Sequence, residues 1–141
     1  MDLKMTPDDL HAFLAAEFPQ VCEDFSVESL APGRIVIRHR VAERHLRPGG
    51  TVSGPTIFAL ADVSIYLAIL SRIGPVALAV TTNCAIDFMR KPAAGRDLLG
   101  EGRLLKLGRR LAVGDVLIRS EGSDDIVARA SLTYAIPPNA S

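Results

Sequence analysis

The chain has 141 residues, of which 48% are hydrophobic and 23% charged, and these values are typical of a folded domain and exclude a disordered protein. Its 16 basic and 16 acidic residues balance, so no overall charge favours nucleic acid or an anionic membrane as a partner. The length suffices for one hydrophobic core, and we predict a single domain over residues 1–141.

The first predicted elements are a short helix and a hairpin. Thr6 is a suitable N-cap and Pro7 fits the first helical position, after which leucine and phenylalanine recur at four-residue spacing, so a helix is predicted over about residues 7–18. Residues 25–30 and 34–41 have strand-like patterns and are separated by an Ala-Pro-Gly turn. These two segments are predicted to form a β-hairpin.

A second helix is predicted in the middle of the chain. The polar, glycine-rich residues 43–51 are predicted as a loop, and Ser53-Gly54-Pro55 then begins a helix that ends near Arg72, before another Gly-Pro pair. Residues 56–70 are apolar almost all round the helix. A helix of this kind in a globular protein must be buried on most faces.

Four strand-like segments follow, at about residues 77–89, 97–107, 110–120 and 125–136. Alternation is clearest in the last strand, where one face carries Ile126, Ala128, Ala130, Leu132, Tyr134 and Ile136. The order contains no repeated βα units, which argues against a parallel doubly wound sheet. We predict an α+β fold in which an antiparallel sheet wraps around one long central helix, with a short N-terminal helix.

The cysteines and the N-terminal segment bear on location and metal binding. Cys22 and Cys84 belong to no CxxC motif and to no cluster with metal-ligand spacing, so we predict free thiols, no metal site and a reducing, cytoplasmic environment. The N-terminal segment lacks the basic-then-apolar pattern of a signal peptide. The longest apolar run, residues 57–70, is too short to span a membrane, so no membrane association is expected.

Asp62 is the residue that most needs an explanation, because it lies in the middle of the most apolar helix. Burying an ionised carboxylate without partners costs several kcal/mol. The nearest basic residue along the helix is Arg72, ten positions on. Two interpretations stay open: Asp62 is solvated at the surface or at a subunit interface, or it is a functional acid with a distant partner or a cavity.

The loop before the helix favours the functional interpretation. Free backbone N–H groups at a helix N-terminus, here at Gly54, stabilise negative charge, including an oxyanion that forms on an attacked carbonyl. Asp62 lies about 12 Å further along the axis, at roughly 1.5 Å per residue, so both groups cannot contact the same atom. Either they act on one extended ligand, or the acid comes from the other subunit of a dimer.

Residues 45–62 resemble the hotdog-fold acyl-CoA thioesterases, specifically the phenylacetate-pathway (PaaI-like) type. That family has the loop pattern His-x-Asn-x-x-Gly-x-x-His-Gly-Gly, followed by a helix with Leu-x-Asp. Here residues 45–55 read HLRPGGTVSGP and residues 60–62 read LAD, so His45, Gly50, Gly54 and Asp62 match. Residues 81–93 resemble the central strand and the basic-Pro turn of the family, and the similarity extends over about residues 45–136. Three positions depart from the pattern: Arg47 replaces the asparagine, Ser53 the second histidine and Pro55 the last glycine.

The resemblance implies a hotdog fold and the hydrolysis of an acyl-CoA thioester to the free acid and coenzyme A. Asp62 would be the catalytic carboxylate, either as nucleophile or as general base, and the Gly54 N–H would polarise the thioester carbonyl. Thr81, or alternatively Thr82, would help position the attacking water, and Ser53 occupies the catalytic loop. The substrate-binding candidates are His45, Arg47, Phe58, Tyr66, Thr82, Arg90 and Lys91, of which Arg90 and Lys91 would contact the coenzyme A phosphates.

The resemblance also implies an assembly in which each site is built across a subunit interface. We therefore expect a homodimer, or a homotetramer formed as a dimer of dimers. Coenzyme A is part of the substrate, and no separate cofactor or metal is expected.

Three other functions remain alternatives at this point. The departures at Arg47, Ser53 and Pro55 are compatible with a non-catalytic acyl-CoA-binding protein. An enoyl-CoA hydratase would need a histidine near the helix start, for which only His45 is available, and the Asp-x-Asn-Pro-x-His stretch typical of such enzymes is absent. A purely structural oligomer would leave Asp62 unexplained. The other two histidines, at positions 11 and 39, are predicted at the surface.

Overall fold

A long apolar helix packs against one face of a six-stranded antiparallel sheet in the structure, a computed structural model that describes residues 2–138. The elements are, in chain order, α1 Pro7–Glu17, β1 Phe25–Ala31, β2 Arg34–His39, a 3-10 turn Glu43–His45, α2 Gly54–Ile73, β3 Val80–Phe88, β4 Leu98–Leu107, β5 Leu111–Ser120 and β6 Ile126–Ala135.

The strands are arranged in the order β1-β2-β4-β5-β6-β3, and every neighbouring pair is antiparallel. β1 and β3 form the two edges, because each pairs with a single strand. The predicted α+β architecture of a hotdog domain, with one central helix and a short N-terminal helix, is confirmed. β3 begins at Val80, later than predicted, because the Ala79 N–H donates to the Val76 carbonyl oxygen in a preceding turn (3.2 Å).

Two glycines in the sheet allow α2 to approach the strands closely. A Cβ atom at Gly114 would lie 2.6 Å from Ile65 Cδ1, and one at Gly100 would lie 2.9 Å from Ser64 Oγ. Any larger residue would push the helix away from the sheet. By length and composition alone α2 could cross a membrane, but 67% of its most apolar window is buried inside the protein, as expected of a core helix.

α1 packs beside the middle and the end of α2. Its predicted cap is confirmed, since the Asp9 N–H donates to Thr6 Oγ1 (3.1 Å) and the Thr6 N–H donates to Asp9 Oδ2 (2.9 Å). The Phe13 ring contacts the Tyr66 ring of α2, with centroids 6.1 Å apart. This packing places the C-terminal end of α1 close to the central part of α2, where Asp62 lies.

Candidate active site

Asp62 is partly buried and accepts hydrogen bonds from two hydroxyl groups. Tyr134 on β6 donates to Asp62 Oδ1 (2.7 Å), and Thr81 on β3 donates to the same oxygen. The Tyr134 hydroxyl also lies 3.0 Å from the Asp62 main-chain carbonyl oxygen. The partners of the carboxylate therefore come from elsewhere in the fold, and they are neutral hydroxyl groups rather than cations.

The register of β3 and β6 explains why the two hydroxyl groups meet. Thr81 and Tyr134 are directly paired across the two strands, and the register shifts between Thr81 and Asn83. Thr82 is the extra residue of this bulge, and its hydroxyl donates to the Thr133 carbonyl oxygen (3.3 Å) on the exposed side. The bulge thus directs Thr81 towards Asp62, whereas Thr82 does not reach the carboxylate.

A cavity of about 290 Å³ lies beside the Asp62 carboxylate. It is lined by Glu17, Phe18, Asp62, Val63, Tyr66, Ala77, Ala79, Val80, Thr81 and Tyr134. Tyr66 is the one substrate-binding candidate that the structure places in this cavity, and its hydroxyl donates to the Ala77 carbonyl oxygen (2.9 Å). Glu17 and Phe18, at the end of α1, also line this cavity, and the sequence did not predict this.

Two tyrosines and a cysteine near Asp62 are held in their neutral forms. Burial, together with the negative charge of Asp62, raises the pKa of Tyr134 far above its usual range. Burial raises the pKa of Tyr66 to about 12, and burial with the charge of Asp62 raises the pKa of the Cys84 thiol. At neutral pH both phenols therefore keep their hydrogen and can act as hydrogen-bond donors.

The N-terminus of α2 forms a second feature at the other end of β3. Ser53 is the N-cap: its Oγ accepts the Thr56 N–H (3.4 Å) and lies 2.9 Å from Thr56 Oγ1. Pro55 has no N–H, and within residues 2–138 no acceptor faces the Gly54 N–H. The Gly54 N–H is therefore available to a carbonyl oxygen, while Ser53 serves the helix itself.

A groove of about 400 Å³ adjoins this helix start. It is lined by Arg47, Thr51, Val52, Gly54, Ile57, Phe88, Met89, Arg90, Lys91 and Pro92. Three of the substrate-binding candidates, Arg47, Arg90 and Lys91, thus lie together beside Gly54. Arg90 also approaches Asp125 in an exposed ion pair of 3.4 Å. The groove combines an apolar floor with three cationic side chains.

Two separate half-sites therefore exist in one chain, one containing Asp62 and the other containing Gly54. The two cavities share no lining residue. Gly54, Phe58 and Asp62 recur every four residues along α2, so they share one face of the helix. Phe58 is 38% exposed on that face, which shows that the protomer's own sheet does not cover it.

His39 and His45 both lie inside the protein. His39 was predicted at the surface, but it is 2% exposed, and burial lowers its pKa. Its ring packs edge-on against His45, with centroids 4.5 Å apart, and His45 is 8% exposed. His11, the other predicted surface histidine, is half-buried and accepts the Val27 N–H at Nε2 (2.9 Å).

Asp24, His39 and His45 are close enough to raise the question of a metal, with potential ligand atoms within 4.8 Å of one another. The Ala42 N–H donates to His45 Nδ1 (2.9 Å), so a neutral His45 ring carries its hydrogen on Nε2, which lies 3.5 Å from Asp24 Oδ2. A metal would need a lone pair on that nitrogen. These three side chains therefore fit a structural role, in which they hold the loop that precedes α2. In that loop the Ser53 N–H donates to the His45 carbonyl oxygen (2.9 Å).

Sequence reasoning missed Tyr134 as a residue of the site. Its position on the covered face of β6 was predicted, and it is 2% exposed. A buried tyrosine hydroxyl usually has a hydrogen-bond partner, and that rule was the available signal. The identity of the partner could not be predicted, because Tyr134 and Asp62 are 72 residues apart in the chain.

Comparisons with known proteins agree with this fold. The sequence model of the thioesterase superfamily matches residues 49–127. A candidate thioesterase of known structure from a Silicibacter species is 60% identical, with a TM-score of 0.92 over 98% of this chain and 96% of that one. A mutant form of the phenylacetic acid degradation protein PaaI from Thermus thermophilus is 33% identical, with a TM-score of 0.72 over 84% of this chain and 99% of that one. Human acyl-coenzyme A thioesterase 13 is 26% identical over 120 residues, 84% of either chain. The chain thus belongs to the thioesterase superfamily and is a hotdog-fold thioester hydrolase.

Proposed function

We propose that this protein hydrolyses acyl-CoA thioesters, with Asp62 as the catalytic carboxylate. The observation that carries the proposal is the arrangement of Asp62, which lies beside a cavity with one oxygen held by two hydroxyl groups. The similarity to human acyl-coenzyme A thioesterase 13 supports coenzyme A as the thiol component.

The hydrogen bonds around Asp62 favour its action as a general base. Oδ1 accepts both hydroxyl groups, whereas Oδ2 accepts no hydrogen bond from any residue in the described part of the chain. Oδ2 would take a proton from a water molecule whose oxygen attacks the thioester carbonyl carbon. The Thr81 hydroxyl donates its hydrogen to Oδ1 and so keeps a lone pair that can accept the second hydrogen of that water.

The rest of the reaction follows from the same groups. The attack produces a tetrahedral oxyanion, which the Gly54 N–H would stabilise at the start of α2. The C–S bond then breaks, the coenzyme A thiolate takes the proton that Asp62 Oδ2 removed from the water, and the free acid leaves with Asp62 ionised again. Nucleophilic attack by Oδ2, through an anhydride that water hydrolyses, remains the alternative route. Neither route needs a metal or a separate cofactor.

Asp62 and Gly54 would act on one carbonyl group only if they come from two subunits. β3 is an edge strand, and exposed apolar side chains cluster near it: Phe58, Leu78, Val80, Phe88 and Met89. If two β3 edges pair antiparallel about a two-fold axis, the Thr81 end of one strand meets the Phe88 end of the other. Asp62 lies near the first end and Gly54 near the second. We therefore propose a homodimer as the catalytic unit, which could pair further into a tetramer.

The chemistry of the two half-sites suggests how the substrate lies. The groove with Arg47, Arg90 and Lys91 suits the phosphates of coenzyme A, because cations there would face the anionic end of the substrate. The cavity lined by Tyr66 and Val63 suits the acyl group. A hydratase is disfavoured, because His45, the histidine that such chemistry would need, is buried and hydrogen-bonded inside the protomer.

The experiment that tests the proposal is thiol release from short, medium, long and aryl acyl-CoAs by the wild type and by Asp62→Asn. Asparagine keeps the size of the side chain but cannot take the proton, so we expect kcat/KM to fall by roughly a hundredfold or more. Asp87→Asn is the control, since Asp87 pairs with Arg129 on the exposed surface and lies outside both cavities.

Each other outcome has a definite meaning. Unchanged turnover in Asp62→Asn would refute the role of Asp62. Wild-type protein that binds the esters without releasing thiol would indicate an acyl-CoA-binding protein, and would direct attention to the departures at Arg47, Ser53 and Pro55.

A further inference from the structure

Tyr134 contacts Asp62 in a way that goes beyond filling the core. Its hydroxyl carries one hydrogen, which can be directed to Asp62 Oδ1 at 2.7 Å or to the Asp62 carbonyl oxygen at 3.0 Å. The bond to the carboxylate is the shorter one, and hydrogen bonds to ionised oxygens are the stronger kind. The phenol therefore interacts mainly with the side chain of Asp62.

We propose that Tyr134 is a positioning residue for the hydrolysis, which reserves Oδ1 of Asp62 as a hydrogen-bond acceptor so that Oδ2 alone reacts. The inference rests on the proposed function of Asp62. The terminal torsion of an aspartate is broad, so the plane of an unrestrained carboxylate would take many orientations towards the cavity. Two donors on one oxygen hold that plane in one orientation and leave the other oxygen facing the water.

The surroundings allow this role to be separated from simple packing. The Tyr134 ring stacks on the Tyr66 ring, with centroids 6.1 Å apart and planes at 27°, and it is 2% exposed. These ring contacts do not involve the hydroxyl, so phenylalanine can keep them. Removal of the hydroxyl alone should therefore change the orientation of the carboxylate with little change in the core.

The phenol stays a donor over the working pH range, because burial and the charge of Asp62 both keep it protonated. The other titratable groups near the carboxylate are Glu17 from α1, Tyr66 from α2 and Cys84 from β3. None of these three donates a hydrogen bond to Asp62 in the described part of the chain. Tyr134 and Thr81 are thus the two groups that set the orientation of the acid.

The test compares wild type, Tyr134→Phe and Ser71→Ala in steady-state hydrolysis of one acyl-CoA across a pH series. Tyr134→Phe should lower kcat by about tenfold, the usual effect of losing a hydrogen bond to a charged group, with KM nearly unchanged. The acidic limb of its kcat/KM profile should move to higher pH, because a hydrogen bond to the ionised form is lost. Ser71→Ala removes a different buried hydroxyl, which lies on α2 and donates to the Ala68 carbonyl oxygen (2.6 Å). This control should leave kcat and the acidic limb at wild-type values.

A second variant keeps the inference testable if Tyr134→Phe does not fold. Placing 3-fluorotyrosine at position 134 keeps the ring and hydroxyl but makes the phenol a stronger donor, so the acidic limb should move to lower pH. Wild-type kcat and an unmoved limb in Tyr134→Phe, or a limb that fluorination does not move, would overturn the inference. No turnover by the wild type itself would overturn the proposed function and this inference with it, and that result is distinguishable because it appears before any variant is measured.

Discussion

Gly54 and Asp62 lie about two helical turns apart on the same face of α2, and each lines a different cavity. One is the N–H donor at the helix start, and the other is the carboxylate held by two hydroxyl groups. In a single chain this spacing separates the proposed oxyanion-stabilising group from the proposed base. In an antiparallel pair of α2 helices from two subunits, Gly54 of each subunit would lie opposite Asp62 of the other. Such a dimer would contain two complete sites.

This relationship predicts complementation between two inactive variants. Asp62→Asn removes the proposed base, and Gly54→Val places a branched side chain in the groove, where its Cβ would contact the Phe88 ring at 3.6 Å and its methyl groups would occupy space beside the Gly54 N–H. When the two variants mix at random, half of the dimers are mixed. Each mixed dimer has one intact composite site out of two, so about a quarter of wild-type activity should return. Thiol release before and after subunit exchange is the measurement. If activity does not return although native mass spectrometry, with one variant isotope-labelled, shows mixed dimers, both groups act within one chain.

The groove predicts a charge effect that depends on the thiol part of the substrate. Replacing both cations, as Arg90→Glu with Lys91→Glu, should raise KM for an acyl-CoA on the order of tenfold, and added salt should reduce the difference. The same acyl group on N-acetylcysteamine, which has no phosphates, should show little change. Arg129→Glu is the control, because Arg129 is an exposed cation that pairs with Asp87 and does not line the groove. An equal rise in KM for both substrates would contradict phosphate binding.

His39 predicts a loss of stability as the pH falls through the histidine range. Burial holds its folded pKa below the ordinary value of 6.5, with the nearby His45 and Arg44 acting in the same direction and Asp24 against it. The unfolded chain therefore binds a proton below pH 6.5 that the folded protein does not, so the stability is complete above pH 6.5 and decreases below it. The free energy of unfolding should fall by at most about 1.4 kcal/mol per pH unit from this group.

Urea unfolding between about pH 7.5 and pH 5.5 measures this slope. His39→Gln is expected to be less stable overall, because the ring contacts with Phe25 and His45 are lost, but it should show a shallower pH dependence. An identical slope in both proteins would show that His39 does not titrate differently in the folded and unfolded states.

The limits of sequence reasoning are visible in particular residues. The start of α2 at Ser53 and the alternating burial of β6 from Ala128 to Tyr134 were predicted correctly, because N-caps and two-residue periodicity are local patterns. Val127, on the other face of the strand, is buried as well. The surface position predicted for His39 was wrong, because its ring is buried between Phe25 of the neighbouring strand and His45 of the following turn, and strand periodicity alone does not show which loop covers a strand end. The roles of Thr81 and Thr82 were separated only by the bulge in β3, which depends on how β3 pairs with β6.

By itself the sequence determined the helices, the strands, the family and the unusual acid in an apolar helix, because each of these depends on neighbouring residues or on a short motif. Only the tertiary structure decided what surrounds that acid. Thr81 is 19 residues from Asp62 and Tyr134 is 72, and no local pattern relates them. They meet because the pairing register of an edge strand and the closeness of α2 to the sheet are set by long-range packing, which exists only in the folded chain.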